Sequence, residues 1–416
     1  MSSEKVEIVD SKQNMKQKPK LRFPGFIGDW ENKELSPFLQ EYSKKVSVGT
    51  ELPIYSSTRT GLMPQKNYYA GRELINNSEY RVVPESFFVY RHMSDDGLFM
   101  FNINRTGVKI AVSKEYPVFT TKNLYADFLF YKLNYDVDFK KYALMQKKGG
   151  TRTRLYFKTL CSWKTLLPSF SEQQKIADCL SSLDSVIFLQ TQKIDALQQY
   201  KKGLMQKLFP AEGETVSELR FGGFKSSPDW NSSTLGELAN YTNGKAHENH
   251  VTDLGKYVVV NSKFISSEGS IIKKTDNALC ISQKNDILMV LSDVPNGKAI
   301  AKCYFVASDN KYTVNQRICK ITPKRNVLGN FLFFYLNRNS FFLTFDDGVK
   351  QTNLRKEDVL SCPVNYPSLQ EQQKIADCLS SLDELITNET QKLAVLKTHK
   401  TGLMQQIFPA MDEVTA

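Results

Sequence analysis

The sequence has few of the residues on which enzymatic and metal sites depend. Its 416 residues include four histidines, three tryptophans and seven cysteines, and no Cys-x-x-Cys pair occurs. The odd cysteine count favours a reduced chain over a disulfide framework or a zinc site. No Gly-x-x-x-x-Gly-Lys-Ser/Thr loop for a nucleotide triphosphate and no Asn/Asp-Pro-Pro-Tyr/Phe adenine-methylation motif is present. These absences predict a chain with no catalytic residue, no cofactor and no metal of its own.

Three polar clusters are the nearest approach to a catalytic site. His247-Glu248-Asn249-His250 lacks the helical i, i+4 spacing of a zinc protease motif and is interpreted as an exposed loop. Asp95-Asp96 and Asp346-Asp347 are each followed by glycine, which indicates a turn rather than a metal site.

Long apolar runs are also absent. The longest, 331–336, is far shorter than the ~20 residues of a membrane span. Residues 1–20 are polar and lysine-rich without the apolar core of a signal peptide, so we expect a cytoplasmic protein with flexible tails at 1–20 and 411–416.

Acidic residues are outnumbered by basic ones, 44 against 55, which gives a formal charge of +11. The excess is concentrated in two runs without an acid, 140–158 and 311–325. Such runs suggest a polyanionic partner, although charge alone is weak evidence for one.

The most informative feature that is present is a duplicated segment. Residues 168–211 return as 367–410 without a gap, and 28 of the 44 positions are identical. A shorter motif precedes each half: Leu-Arg-Phe-Pro-Gly-Phe from Leu21 with Trp30, and Leu-Arg-Phe-Gly-Gly-Phe from Leu219 with Trp230. The chain is therefore two half-chains of similar organisation. The predicted segments are 21–167 and 212–366 as variable domains and 168–211 and 367–410 as repeated segments.

Each repeated segment has the pattern of a long amphipathic helix. Apolar residues follow steps of three and four, a heptad pattern. Its predicted seam is Ile176, Leu180, Leu183, Ile187, Ile194, Leu197, Leu204 and Leu208, repeated as Ile375, Leu379, Leu382, Ile386, Leu393, Leu396, Leu403 and Ile407. Polar residues interrupt it at Gln190, Lys201, Glu389 and Lys400.

The ends of these helices are marked as well. Ser169-x-x-Glu172 and Ser368-x-x-Glu371 predict capping boxes, and a Phe-Pro pair closes each helix. Gly203 and Gly402 suggest a bend or a close approach. We expect the two helices to pair with each other, antiparallel and about a pseudo-twofold axis. Pairing with a second chain is the alternative.

The variable stretches contain short β-like runs punctuated by glycine, proline and asparagine. The runs are 81–83, 86–90, 108–112, 257–260, 286–291 and 299–305, with one short helix expected in each stretch, at 124–133 and 328–337. The predicted fold class is thus α+β, with two globular domains joined by two long antiparallel coiled-coil helices. The stretches align without a gap only near their ends, at 149–155 and 348–354.

Basic and amide side chains in these stretches are candidates for contact with DNA, because arginine suits guanine and asparagine or glutamine suits adenine. A solvated surface is the alternative for each of them. The candidates are Arg59, Lys66, Arg91, Arg105, Lys147, Lys148, Thr151, Arg152, Arg154, Asn243, Lys245, Asn315, Gln316, Arg317, Lys350, Gln351, Thr352, Asn353 and Arg355.

The duplicated motifs resemble the specificity subunits of type I restriction-modification enzymes. The resemblance rests on Pro-Ser-x-x-Glu-Gln-Gln-Lys-Ile-Ala-Asp after each variable stretch, Gly-Leu-Met-Gln-x-x-Phe-Pro at each helix end, and Leu-Arg-Phe-x-Gly-Phe with a following tryptophan before each stretch. It covers nearly the whole chain.

The resemblance implies that each variable stretch is a target recognition domain that reads one half of a bipartite DNA sequence. The repeated helices would set the spacer and dock two modification subunits, which bind S-adenosylmethionine and methylate adenine. Restriction subunits that use ATP and Mg²⁺ would add translocation and cleavage. A coiled-coil scaffold that reads no DNA is the alternative from another class.

Overall fold

The structure is a computed structural model that describes residues 18–69, 79–147, 151–295 and 297–408. The chain forms two compact units. The first comprises the described residues up to 191 together with 392–408, and the second comprises the described residues between 192 and 391. Each unit therefore holds one variable stretch and part of both repeated helices. Most of the two predicted tails, residues 1–17 and 411–416, lies outside the described residues.

Short strands and short helices alternate in the first unit. Its strands are β1 Glu31–Glu34, β2 Leu39–Glu41, β3 Lys45–Val46, β4 Tyr55–Thr58, β5 Gly61–Pro64, β6 Tyr80–Val83, β7 Phe88–Tyr90, β8 Met93–Ser94, β9 Phe101–Ile103, β10 Ile110–Ser113, β11 Val118–Thr121, β12 Thr153–Arg154 and β13 Lys164–Leu167. Its helices are α1 Gln65–Tyr68, α2 Ala126–Tyr135, α3 Val137–Met145, α4 Phe157–Cys161 and the start of α5 Phe170–Leu208, with a 3₁₀ turn at Ser36–Phe38.

Aromatic residues build the core of the first unit. The central sheet has the order β2-β11-β7-β9 and is antiparallel throughout. Phe88 of β7 stacks on Phe119 of β11 at 4.8 Å between ring centroids, and both are fully buried. A second sheet has the order β10-β6-β3, and β4 and β5 form a hairpin. The bulky rings favour strand conformation because they pack well on a pleated surface.

The second unit has a similar succession of elements. Its strands are β14 Asn231–Thr234, β15 Ala239–Asn243, β16 Val251–Thr252, β17 Tyr257–Val260, β18 Lys274–Thr275, β19 Ile287–Val290, β20 Ser292–Asp293, β21 Cys303–Phe305, β22 Tyr312–Val314, β23 Ile318–Pro323, β24 Thr352–Asn353 and β25 Pro363–Tyr366. Its helices are α6 Leu235–Leu238, α7 Ser262–Ser266, α8 Gly329–Leu336, α9 Ser340–Leu343, α10 Lys356–Leu360 and the start of α11 Leu369–Ile407, with 3₁₀ turns at Gly222–Phe224 and Glu248–His250.

The central sheet of the second unit, β15-β23-β19-β21, is also antiparallel. Its core side is more aliphatic, with Ile287 opposite Ile321 and Met289 opposite Cys319, all fully or almost fully buried. A second sheet, β16-β18-β17-β22, contains a parallel pair, β17 with β22. The two variable stretches are therefore α+β, as the sequence predicts. The expectation of one short helix in each was wrong, because several further short helices fill the connections.

Each long helix begins with a buried ion pair to the motif that precedes its variable stretch. In the first unit, both carboxylate oxygens of Glu172 accept hydrogen bonds from Arg22, at 2.8 and 2.7 Å. In the second unit, Glu371 accepts from Arg220 at 2.9 and 2.5 Å. The predicted capping boxes are therefore only half made. Each glutamate amide donates to its serine, but the carboxylates are bonded to arginine instead of returning to the cap.

A buried glutamine next to each of these glutamates joins the long helix to a domain helix. The Gln173 side chain accepts from the amide of Tyr125, the N-cap of α2, at 2.9 Å. Gln372 accepts from the amide of Leu328, the N-cap of α8, at 2.8 Å. The first amides of a helix have no partner within it, so each glutamine fixes the start of one domain helix.

The predicted seam lies inward along both long helices. Among its sixteen residues, seven are buried and nine are half-buried; the buried ones are Ile176, Leu180, Ile194, Leu208, Ile375, Leu379 and Ile407. The ends of the seam lie in the domain cores, since Ile176, Leu180 and Ile407 belong to the first core and Leu208, Ile375 and Leu379 to the second. Apart from neighbouring residues of its own helix, no described atom lies within 4 Å of a Cβ built on Gly203 or Gly402, so neither marks a close approach.

Three of the four polar interruptions of the seam, Lys201, Glu389 and Lys400, form ion pairs that show the relative direction of the helices. In the second unit, Lys193 bonds to Glu389, and Lys201 bonds to Asp383 at 2.5 Å. Residue numbers rise on α5 as they fall on α11, so the two helices are antiparallel there. In the first unit, Lys400 bonds to Asp184 at 2.5 Å. Asp184 and Asp383 are equivalent in the repeat, as are Lys201 and Lys400.

The same lysines also face the domain helices. Lys201 lies 5.1 Å from the ring centroid of Phe334 on α8. Lys400 lies 5.4 Å from that of Tyr131 on α2. Only tyrosine carries a hydroxyl, and Tyr131 donates it to Asp184 at 2.7 Å. Burial, followed by this hydrogen bond to a carboxylate, raises the pKa of Tyr131 above its usual value.

Candidate nucleic-acid interface

A two-residue ladder occupies the same place in each domain and positions most of the candidate DNA contacts. In the first unit, β8 and β12 pair with Ser94 opposite Thr153. In the second, β20 and β24 pair with Asp293 opposite Thr352. Side chains alternate across a strand. The two threonines are buried and the next residues, Arg154 and Asn353, are exposed.

Buried leucines hold both ladders in place. The amide of Leu155 donates to the carbonyl of His92 at 2.9 Å, and the amide of Leu354 donates to that of Leu291 at 2.8 Å. Both leucine side chains are buried. The aligned Thr-x-Leu of the two stretches therefore corresponds to the same backbone arrangement in both units. Its threonine and leucine side chains are buried, and the polar residue between them is exposed.

In the first unit, three candidate arginines line one groove of about 320 Å³. Arg59 is at the tip of the β4–β5 hairpin, Arg91 follows β7, and Arg152 precedes β12. Arg59 donates to Asp96 at 2.6 Å and Arg152 donates to Asp95 at 2.8 Å. The aspartates, interpreted from sequence as turn residues only, thus also bind the arginines of the groove.

Asp96 is the more firmly held of these two carboxylates. The same oxygen, Oδ1, accepts from Arg59, from the Ser94 hydroxyl at 2.7 Å and from the Leu98 amide at 3.1 Å. These bonds, with that from Arg59 the largest cause, hold the pKa of Asp96 well below its usual range. Asp96 is therefore ionised at neutral pH.

The remaining candidates of the first unit are more scattered. Lys66 lies on α1, which also carries Tyr68, a residue of the groove. Thr151 precedes Arg152, and Arg154 is the second residue of β12. Arg105 is bonded instead to Asp127 in the first turn of α2 and does not line this groove. Lys147 is exposed after α3, and Lys148 lies outside the described residues.

In the second unit, backbone hydrogen bonds bring together candidates that are far apart in sequence. Lys245 donates its amide to the carbonyl of Val314 at 2.9 Å, which places Asn243 and Lys245 beside Asn315, Gln316 and Arg317. The amide of Leu291 donates to the carbonyl of Arg317 at 3.0 Å. This bond connects the group to the β20–β24 ladder.

Glycine is required where these two segments cross. A Cβ added to Gly244 would lie 2.0 Å from the carbonyl oxygen of Asn315. Gln351 lies at the far side of the ladder, and its side-chain amide donates to the Ser292 hydroxyl at 2.6 Å. Lys350 and Arg355 are exposed on either side of the ladder strand. The second unit thus presents mainly amide side chains where the first presents arginine and aspartate.

The expectation of an exposed loop at 247–250 was wrong for its first residue. His247 is buried, with Nδ1 2.6 Å from the carbonyl oxygen of Lys245 and Nε2 2.9 Å from the Thr313 hydroxyl. A carbonyl only accepts, so Nδ1 donates its hydrogen to the carbonyl of Lys245. The histidine therefore supports the backbone next to candidate Lys245. A polar surrounding sequence gave no sign of this burial.

Two features are absent from the described part of the chain. No group of three or more histidine, cysteine, aspartate or glutamate residues there is arranged to hold a metal ion. Likewise, none of the described helices is both long and apolar enough to cross a membrane.

Comparisons with known proteins agree with this architecture. The profile of the type I restriction modification DNA specificity domain matches twice, at residues 27–199 and 228–398. The chain therefore belongs to the family of type I restriction-modification specificity subunits, and its two variable stretches are target recognition domains. We call them domain 1 and domain 2. The alternative of a scaffold that reads no DNA is not favoured.

Relatives and solved structures extend over most of the chain. The MjaVIII specificity subunit of Methanocaldococcus jannaschii is 25% identical over 426 residues, covering 95% of both chains. The HindI specificity subunit of Haemophilus influenzae is 29% identical, covering 45% of this chain and 42% of its own. The crystal structure of the S subunit from M. genitalium shares the fold, with a TM-score of 0.59, 15% identity and coverage of 95% of this chain and 100% of its own.

A further solved structure comes from work on complex assembly and conformational transition of the type I restriction-modification system. It has a TM-score of 0.57 and 12% identity, and covers 92% of this chain and 99% of its own. These structures show a shared fold.

Proposed function

We propose that domain 1 and domain 2 each read one half of a bipartite DNA target, through the side chains around their two-residue ladders. The observation that carries this proposal is that candidates from distant parts of the sequence converge on the same ladder in both domains. Arginine, asparagine and glutamine are the residues that bond base edges in the major groove. The lysines nearby suit phosphate contacts that are independent of sequence.

Exchange of one domain tests this proposal. Residues 31–167 are replaced by the corresponding stretch of another specificity subunit, and the chain is expressed with its modification subunits in a host without other methylation. Sequencing of methylated bases is expected to show one changed half-site and one unchanged. Change in both halves would refute modular reading.

We further propose that the paired long helices set the distance between the half-sites. Four residues inserted in α5 add about one turn, or roughly 6 Å at 1.5 Å per residue. At about 3.4 Å per base pair, the nonspecific spacer is expected to lengthen by one to two pairs while both half-sites stay the same. An unchanged spacer would exclude this role for the helices.

The chemistry in this proposal belongs to partner subunits. Two modification subunits would bind S-adenosylmethionine and methylate adenine, and restriction subunits would use ATP and Mg²⁺. Incubation of the isolated chain with DNA and radiolabelled S-adenosylmethionine is then expected to leave the DNA unlabelled, whereas adding modification subunits labels it. The complex would act in the cytoplasm, where its DNA substrate is.

Apolar side chains exposed on α5 are the proposed docking site for a modification subunit. Val186, Phe188 and Leu189 lie close together in sequence and are about half or more exposed, and such patches on a polar surface are typical of protein interfaces. Phe188→Asp is expected to weaken co-purification with the modification subunit. Leu254→Asp, at a more exposed leucine of domain 2, is the matched control. Equal co-purification of both variants would remove this surface from the proposal.

A further inference from the structure

Two carboxylates lie where a polyanion is expected to bind. Asp95 lines the groove of domain 1, and Asp96 is bonded to Arg59 at its edge. Carboxylates repel phosphates, so they weaken binding that depends on charge alone. The position of Asp95 and Asp96 is explained if these carboxylates orient the arginines that contact the bases.

The geometry leaves the arginines free to bind a second group. Arg59 donates to Asp96 through Nη2 only, and Arg152 donates to Asp95 through Nε only. The other nitrogens of both guanidinium groups make no hydrogen bond to a described residue, and the two side chains are 63% and 53% exposed. Guanidinium presents its donors as a fork that matches O6 and N7 of guanine.

The carboxylate of Asp96 is itself fixed, because the Ser94 hydroxyl and the Leu98 amide both donate to it. A fixed acceptor restricts the rotamers of Arg59 before DNA arrives, so less conformational entropy is lost on binding. Asp95 is 80% exposed and restrains Arg152 through one bond. The effect is therefore greater for Arg59.

We infer that Asp96 and Asp95 are positioning residues that orient Arg59 and Arg152 toward guanine, so that the half-site of domain 1 contains G·C pairs. This inference rests on the proposed function and adds the base that domain 1 reads. The ladder supports a difference between the domains. With Met93 equivalent to Ser292, the positions of Asp95 and Asp96 are taken in domain 2 by Val294 and Pro295, which carry no charge.

The test uses the complex of the full chain with its modification subunits and a pool of DNA duplexes randomised in the half-site that changes on exchange of residues 31–167. Asp96→Asn keeps an oxygen for Ser94 and Leu98 but loses the charge that attracts Arg59. Glu79→Gln is the matched control, because Glu79 forms an exposed ion pair with Lys45 in the same unit, at 2.9 Å, outside the groove. Arg59→Ala reports the loss of the whole contact.

Arg59→Ala is expected to reduce preference for one G·C pair by roughly 5- to 150-fold, the range for a bidentate base contact. Asp96→Asn is expected to reduce preference at that same pair by about 5-fold or more. The other half-site, the melting temperature and the Glu79→Gln control are expected to stay as in the wild type. A merely structural role for Asp96 would lower the melting temperature and leave the base preference intact.

Two results would overturn the inference alone. One is a bipartite wild-type motif without a G·C pair in the half-site of domain 1. The other is an Asp96→Asn complex that keeps wild-type preference while Arg59→Ala loses it. A wild-type complex without any sequence preference would overturn the proposed function as well, so the two failures are distinguishable.

Discussion

Domain 1 and domain 2 place different side chains on equivalent backbone. In domain 1, Asp95 and Asp96 beside the ladder bind arginines. In domain 2, the acid of the ladder, Asp293, accepts from the amides of Ala299 and Ile300 and so supports its own loop. Gln351 and Asn353 are the groups presented outward. The comparison shows that the backbone hydrogen bonds of the ladder do not depend on the exposed side chains, so those side chains can differ between the domains.

The joints between each domain and the long helices differ in smaller ways. In the first unit, Trp30 also donates to Glu172, at 3.3 Å. In the second, the equivalent Trp230 nitrogen is buried without a described partner. Tyr131 donates to Asp184, whereas its counterpart Phe334 has no hydroxyl to donate. The first unit therefore has a tryptophan bond to its glutamate and a tyrosine bond to its aspartate that the second unit lacks. In the second unit, Arg220 instead donates to two further groups, the carbonyls of Ser227 and Pro228, at 2.8 and 3.1 Å.

The largest difference between the units is expected for the buried arginines. Arg220→Ala leaves Glu371 buried without its ion pair, which costs about 3–5 kcal/mol. It also removes the bonds of Arg220 to the carbonyls of Ser227 and Pro228. Arg22→Ala is expected to cost less, because Trp30 still donates to Glu172. Urea unfolding measures the free energy of unfolding of both variants. Lys207→Ala, which removes an exposed ion pair with Glu218, serves as the control, with a change within about 1 kcal/mol. Equal losses for the two arginines would contradict the expected difference between the units.

A substitution at the ladder of domain 2 tests whether the two domains recognise different bases. Gln351→Ala is expected to cost about 1–3 kcal/mol of discrimination for adenine, in the half-site of domain 2 only. Binding of the complex to duplexes with single base changes measures it. Lys350→Ala is the control, since loss of a phosphate contact weakens binding to every sequence alike. Uniform weakening by Gln351→Ala would assign Gln351 to the phosphates.

The smallest expected effect comes from exchanging the aromatic residues that face the helix lysines. Tyr131→Phe makes the first unit like the second and is expected to lose about 0.5–1.5 kcal/mol, the net value of one hydrogen bond. Phe334→Tyr offers Asp383 a hydroxyl donor like the one that Tyr131 provides to Asp184. We therefore expect the free energy of unfolding to be unchanged or increased. Both are measured by urea unfolding of the full chain. A loss in both variants would indicate that ring packing, and not the hydroxyl, determines stability there.

Local sequence patterns predicted the regular elements well. Steps of three and four residues located the long helices and all sixteen inward seam residues, because one helical face repeats at that spacing. The six β-like runs each overlap a strand. Polar interruptions such as Lys201 and Lys400 were visible too, but their partners were not, since Asp383 and Asp184 lie on a different helix.

Contacts between distant residues explain what the sequence did not show. Ser169-x-x-Glu172 has the spacing of a capping box, but Arg22 lies 150 positions away and its charge attracts the carboxylate more strongly than a backbone amide does. Asp95 and Asp96 were interpreted as turn residues for the same reason, because Arg152 and Arg59 are adjacent only in the fold. Residue type alone did not separate Arg105, bonded to Asp127, from the arginines of the groove.

The glutamines at the start of the long helices have a consequence for inheritance. Gln173 and Gln372 lie in identical stretches of the repeat, and each bonds a main-chain amide rather than a particular side chain. A genetic crossover within such a stretch would attach a foreign domain to helix residues that offer it the same bonds. New combinations of half-sites would then arise in one step, without intermediate proteins in which the domain and the long helix fit poorly.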